Sequence, residues 1–285
     1  MRTIAVGLDG SEGSIHALKW ANQFALKHHA TLRVIGAWQY PVAATMPGII
    51  GAVPISLEMD TATADSLQTM VDEHVTVDYD ISIGQGSPAT VLMSESAADD
   101  LLVVGSRGLG PIRGLGSCSR HCTIHSTVPV VVIGEEVEPL GDHPKIIVAV
   151  DGSDRSIAEL TWTLKWASPG ATIKAVYSHN ESQLTEPFMA PADRHELDII
   201  AVETLRTSVQ AAKNAAQSDR DVEELVRDGD PRVTIIGLAQ GADMLITGNR
   251  GHSGIVGLLL GSFATHAVLQ SNKTAVAVFH GELKK

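Results

Sequence analysis

Two stretches of this chain combine glycine, arginine and serine at a spacing suited to holding an anion. Gly105-Ser106-Arg107-Gly108 is followed by Gly116-Ser117-Cys118-Ser119, and Gly248-Asn249-Arg250-Gly251 is followed by Gly261-Ser262. Each lies between an apolar run that reads as a strand and a stretch that reads as an amphipathic helix. Glycine lets a backbone reach positive φ and come close to a ligand. Successive N–H groups in such a loop can cradle an anion, and the start of the helix adds its own unpaired donors. Ser262 can give a hydroxyl to a phosphate or serve as an ordinary helix cap. Arg107 and Arg250 can pair with a phosphate or with a nearby carboxylate.

The two stretches belong to a duplication. Ile4-Ala5-Val6-Gly7-Leu8-Asp9-Gly10-Ser11 returns as Ile147-Val148-Ala149-Val150-Asp151-Gly152-Ser153, with the aspartates 142 residues apart. Gly105 and Gly248 are 143 apart, and Gly116 and Gly261 are 145 apart. Copies of about 140 residues are long enough to hold separate cores, so the reading is a tandem pair rather than a solenoid. The domains are set at 1–136 and 143–285, with the charged, Gly- and Pro-containing stretch Gly134–Pro144 between them. The copies differ in the loop: nine residues separate Gly251 from Gly261, but seven separate Gly108 from Gly116, and Pro111 removes one N–H there.

Strands are expected at 3–8, 31–37, 75–83, 101–105 and 130–133, with helices at 14–27, 57–73 and 117–126. The second copy repeats this with strands at 145–150, 171–177, 221–226, 243–247 and 274–279. Such βαβ alternation implies a parallel sheet with helices on both faces. Residues 39–56 and 179–194 fit the repeat poorly and follow the second strand of each copy, at the end of the sheet where α/β proteins bind ligands. They read as a loop packed on its surroundings or as a lid.

Known phosphate motifs do not fit. No lysine precedes Ser117 or Ser262, which excludes a Walker A loop, and a first strand ending in Asp9-Gly10-Ser11 excludes the dinucleotide fingerprint. Ser94-Glu95-Ser96 has no evident base, and neither H-E-x-x-H nor G-x-S-x-G occurs. Cys118, His121, Cys122 and His125 share one helix face and are zinc-type ligands. One straight helix cannot wrap a tetrahedral ion, however, and the second copy has Phe263, His266, Ala267 and Gln270 there. Core cysteines are the plain expectation, a Cys118–Cys122 redox pair the alternative. His121 and His266 are expected to pack or cap their helices. Asp9 and Asp151 either meet a ligand or shape the turn before a helix.

The 285 residues carry 33 acidic and 21 basic side chains, a formal charge of -12, which opposes binding to nucleic acid or acidic lipid at long range. Aromatics make up 4% and give no stacking platform for single strands. No apolar run is long enough to span a membrane, and the strand pattern starts at once, so a cytoplasmic protein is expected.

The strand-ending aspartates, Gly86-Ser87-Pro88 and Gly229-Asp230-Pro231 before a helix, and the pattern G-x2-G-x9-G-[S/T] after strand four together resemble the universal stress proteins in their tandem form. The resemblance implies two Rossmann-like, doubly wound five-stranded parallel sheets of strand order 3-2-1-4-5. It implies the ATP-binding branch, with adenine near Val176 and Tyr177 and the ribose near Asp151. Phosphates would lie on Gly248, Arg250, Gly251, Gly261 and Ser262, and Mg²⁺ would accompany them. In the first copy the same roles fall to Asp9, Gly105, Arg107, Gly108, Gly116, Ser117 and Ser119. Two departures stand in the second copy: Ala264 replaces a hydroxyl, and Asn249 replaces Ser or Thr. The implied role is a nucleotide-dependent stress regulator with an unidentified protein partner and at most slow ATP hydrolysis. A ligand-free interaction module and a nucleotide or phosphate-ester hydrolase are the alternatives. The last strands are expected to pair within one chain as a pseudo-dimer, and a homodimer could form through another surface.

Overall fold

The computed structural model describes residues 2–39, 55–108, 115–179, 191–249, 262–270 and 273–279. The chain divides into two compact units, Met1–Ile133 and Gly134–Lys285.

The first unit holds strands β1 (Thr3–Gly7), β2 (Thr31–Trp38), β3 (Tyr79–Gln85), β4 (Leu101–Gly105) and β5 (Val130–Ile133). Helices α1 (Glu12–His28), α2 (Ile55–His74), α3 (Pro88–Glu95) and α4 (Ser117–His125) connect them. Its strands run parallel in the order β3-β2-β1-β4-β5. The second unit repeats the plan with β6 (Lys145–Ala149), β7 (Thr172–His179), β8 (Glu223–Asp228), β9 (Met244–Gly248) and β10 (Ala275–Phe279). Its helices are α5 (Asp154–Trp166), α6 (Pro191–Ala216), α7 (Pro231–Ala239) and α8 (Ser262–Gln270), and its parallel strands lie in the order β8-β7-β6-β9-β10. The expected doubly wound order is therefore present twice.

Burial explains the central strands. Every residue of β4, Leu-Leu-Val-Val-Gly, is buried, as a strand covered on both faces must be. Ile4, Leu18, Leu32, Leu101 and Leu102 pack the first core without measurable exposure. Ile147, Val176, Leu245, Ala267 and Val276 join the corresponding cluster in the second unit.

Helix starts follow local chemistry. Ser11 caps α1 by accepting the Ser14 N–H at 3.2 Å, and Ser153 caps α5 by accepting the Ser156 N–H at 3.2 Å. The Ser87 and Asp230 side chains cap α3 and α7, each with proline in the first turn. Hydrogen bonding from Arg232 holds the Asp230 carboxyl below the usual carboxylate range.

The third strand begins at Tyr79, four residues later than the alternation of Val75 and Val77 suggests. Val75 still donates to Val71 O at 2.8 Å and extends the α2 turn. Thr76 N–H then donates to the Asn22 side chain on α1 at 2.9 Å, which holds this segment away from the sheet. The expected excursions at 39–56 and 179–194 lie mostly outside the described residues.

Candidate functional site

β1 has β2 on one side and β4 on the other, so the chain leaves their carboxyl ends in opposite directions, and a crevice forms at such a point. The β1–α1 turn and the loop after β4 meet there. Asp9 Oδ1 accepts the Ser11 N–H at 3.0 Å and its hydroxyl at 2.6 Å. Asp151 Oδ1 accepts the same two donors of Ser153 at 3.0 and 2.5 Å. The Asp9 and Asp151 N–H groups in turn reach Ser14 Oγ and Ser156 Oγ at 3.3 and 3.4 Å. Both aspartates thus shape the turn before a capped helix. The other oxygen of Asp9 faces the glycine loop: a Cβ built on Gly108 would lie 2.7 Å from Asp9 Oδ2.

In the first unit the predicted residues come together. Gly105, Gly108 and Gly116 do not have positive φ; among the described residues the glycines that do are Gly10, Gly86, Gly152 and Gly229. What the loop glycines supply is the missing side chain. A Cβ on Gly105 would stand 2.6 Å from Gly13 O, and one on Gly13 would stand 2.6 Å from Arg107 O. Helix α1 and the end of β4 therefore touch backbone to backbone. Arg107 is exposed on this loop.

Gly116 caps α4 without a side-chain hydrogen bond, and Ser117 is exposed at its first position. Helix N–H groups there have no side-chain cap, unlike those of α1, α3, α5 and α7. Two potential phosphate donors are engaged within the protein: Gly116 N–H donates to Ser106 O at 2.8 Å, and the buried Ser119 hydroxyl donates to Gly105 O at 2.6 Å.

Cys122 is a core cysteine, whereas Cys118 is half-buried. A hydrogen bond between the two thiols lowers the Cys118 pKa and, with burial, raises that of Cys122. His121 and His266 are both exposed, and the His121 ring packs against that of His125 on the same helix, with centroids 4.6 Å apart. Among the described residues no group of three or more His, Cys, Asp and Glu side chains could hold a metal ion.

In the second unit Arg250, Gly251 and Gly261 lie outside the described residues, while Ser262 is the first residue of α8. Gly248 ends β9. Val176 is fully buried and its carbonyl accepts Val150 N–H at 2.8 Å, so only backbone near it could line a ligand. Tyr177 next to it is partly exposed.

Two residues stand out here that the motifs did not announce. Arg155 occupies the place that Gly13 holds in the first unit, and its Nη1 donates to Asn249 Oδ1 at 3.0 Å. One helical turn on, Glu159 replaces Ala17. Glu159 is 1% exposed, and neither of its carboxylate oxygens has a hydrogen-bond partner among the described residues. Burial drives its pKa well above the ordinary glutamate value; the nearby Asp151 adds to this, and Arg155 opposes it. The signal for these residues was the repeat itself, which aligns a charged pair with a glycine and an alanine.

The comparisons with known proteins agree with this plan. The model of the universal stress protein family matches residues 1–134 and again 143–280. Universal stress protein Rv2623 of Mycobacterium tuberculosis is 26% identical over 297 aligned residues, spanning 96% of this chain and 95% of its own. A universal stress protein of Mycolicibacterium smegmatis is 25% identical over 289, covering 96% of each. The crystal structure of a universal stress protein from Archaeoglobus fulgidus covers 97% of both chains with a TM-score of 0.65 at 18% identity, a likeness of fold. Among the described residues, no helix is long and apolar enough to cross a membrane.

Proposed function

We propose that this chain, which belongs to the universal stress protein family, binds ATP with Mg²⁺ at the carboxyl ends of its central strands and acts as a nucleotide-dependent regulator. The observation that carries the reading is the meeting, in the first unit, of the Asp9 turn, the Gly105–Gly108 loop and the uncapped start of α4. Backbone N–H groups at a helix start offer an anion site without a cationic side chain. The residues fit a nucleotide in type: Asp9 or Asp151 stands at the ribose end, the glycine loops approach phosphate closely, and Arg107 or Arg250 supplies positive charge. In the second unit, Gly248, Gly251, Gly261 and Ser262 would hold phosphates, with adenine beside Val176 and Tyr177. Bound Mg²⁺ would offset phosphate charge, and turnover would be slow.

A second reading applies to the first unit alone. Its Gly116 N–H and Ser119 hydroxyl are already bonded to Ser106 O and Gly105 O, which favours a ligand-free interaction module there. Protein purified without added nucleotide should be denatured and the released small molecules counted per chain by mass spectrometry. One ATP or ADP per chain is the expected result and points to one working site, by preference the second unit. Two would place nucleotide in both units. None, together with no heat on titration with Mg-ATP, would overturn nucleotide binding.

A further inference from the structure

The two cysteines of the chain lie one turn apart on α4, and the first unit alone has them. The positions matching Cys118 and Cys122 in α8 are Phe263 and Ala267, so the shared fold does not require sulfur here. The two side chains are in contact: the Cys122 thiol donates a hydrogen bond to the Cys118 sulfur. Burial separates their roles. Cys122 is 0% exposed, whereas Cys118 is partly exposed.

The surroundings favour a thiolate at Cys118. It is the second residue of a helix whose cap, Gly116, makes no side-chain hydrogen bond, so the positive end of α4 acts on its neighbours unopposed by a cap. The Cys122 donor stabilises negative charge on Cys118 and lowers its pKa, against the opposing effects of burial and of the Asp9 carboxylate. The same bond, with burial, keeps Cys122 a thiol. One sulfur is thus a nucleophile open to solvent, and the other holds a proton against it.

Helix geometry resists direct closure of such a pair. Side chains four apart have Cβ atoms about 5–6 Å apart, and a disulfide needs about 3.5–4.5 Å. Closure therefore draws Cys118 toward Cys122 and deforms the first turn of α4. That turn is held by Arg120 N–H on Gly116 O at 2.9 Å and by the Ser119 hydroxyl on Gly105 O at 2.6 Å. No side-chain cap has to break. The deformation falls against the glycine loop, since a Cβ on Gly116 would lie 3.6 Å from Arg107 Cα.

We propose that Cys118 and Cys122 form a reversible disulfide switch, driven by peroxide, that reshapes the start of α4 in the first unit only. The Cys118 thiolate attacks a peroxide oxygen, the O–O bond breaks, and a sulfenic acid and hydroxide result. The Cys122 sulfur then attacks Cys118, the S–O bond breaks, and the departing hydroxide takes the Cys122 proton as water. A dithiol reopens the bond by exchange. The switch needs no nucleotide.

The test treats the folded full chain with hydrogen peroxide and follows it by thiol counting, non-reducing electrophoresis and hydrogen exchange. Both thiols should disappear in a monomer whose peptide carrying the pair is lighter by two hydrogens, and dithiothreitol should restore them. Amide exchange should quicken over 117–120 and stay unchanged in α8. In Cys122→Ser the reaction should stop at a sulfenic acid that dimedone traps, and in Cys118→Ser the buried thiol should stay unreacted. Melting curves check that the variants are folded. Cys122→Ala should slow alkylation of Cys118 about tenfold, and Cys122→Ser, which keeps a donor, should restore most of the rate. Thiols that survive peroxide in the folded chain, or that are lost only after denaturation, overturn the proposal, and so does a disulfide between two chains. A closed pair with unchanged exchange over 117–120 also overturns it, because the bond then switches nothing. An unchanged alkylation rate in Cys122→Ala overturns the part given to Cys122 in activating Cys118.

Discussion

The two units place different materials at the same seam. In the first, α1 and the end of β4 meet through Gly13 and Gly105 with no side chain between them. In the second, the residue opposite Gly13 is Arg155, tied to Asn249, and the residue opposite Ala17 is a buried glutamate. The aspartate turn is the same in both, down to the bonds of Asp9 and Asp151 with the following serines. Duplication has therefore kept the device that starts the helix and changed what the helix presents to the loop. The lesson is that a shared turn motif fixes local geometry, while neighbouring positions set charge.

The strongest way to break this comparison is to move the carboxyl without its cation. Ala17→Glu places a carboxyl at a fully buried position where Gly13 stands in place of an arginine. A loss of about 4 kcal/mol is expected in urea unfolding, from the uncompensated polar burial and the added volume. A loss under about 1 kcal/mol would mean that the site holds a glutamate unaided.

Next comes the glycine seam. Gly105→Ala brings a Cβ within 2.6 Å of Gly13 O and 2.7 Å of Gly13 C, both backbone atoms. Separating two backbones should cost about 3 kcal/mol, read from the same denaturation curves. An unchanged midpoint would show that α1 can slide on β4 freely.

The carboxyl of the second unit gives a pH test. A glutamate whose pKa is raised by folding binds its proton more tightly in the folded state. Its contribution is intact below the ordinary glutamate value and declines as pH climbs toward the raised one, by at most about 1.4 kcal/mol per pH unit. Glu159→Gln should match the wild type in acid and exceed it progressively as pH rises, in thermal melts taken across pH. Parallel profiles would place the charged form at no disadvantage inside the unit.

The smallest effect is at Ser119. Its hydroxyl ties α4 to Gly105 O at 2.6 Å, a bond the second unit lacks because Ala264 stands there. Ser119→Ala should cost about 1 kcal/mol and leave nucleotide per chain unchanged. A fall in bound nucleotide at constant stability would instead make this hydroxyl a phosphate donor.

The fold could be read from sequence because its evidence is local and doubled. Apolar runs such as Leu101–Gly105 need only their own composition to read as central strands, and the repeat supplied each element a second time. The start of β3 could not be read this way. Thr76 is held by Asn22, a contact across 54 positions that no window contains. The turn role of Asp9 and Asp151 was among the readings because it closes within two residues. Arg155 and Glu159 were passed over for a physical reason: charged side chains on a helix belong by default to its solvated face. Their burial comes from β9 and α6, which pack on α5 from elsewhere in the chain. The Ser119 bond is of the same kind, since its acceptor sits 14 residues away at the end of a strand.

The backbone contact at Gly13 also orders the history of the two units. A side chain at that position meets Arg107 O at 2.6 Å, so none can be gained until the loop has moved. The loop after Gly251 is two residues longer than the one after Gly108. For a lineage that began with the short loop, lengthening had to precede the arginine, and the buried glutamate could follow only once the arginine was present. The reverse path has its own order: the glutamate must go before the arginine can, since it would otherwise stay buried without its cation. The seam thus fixes the sequence of changes in both directions.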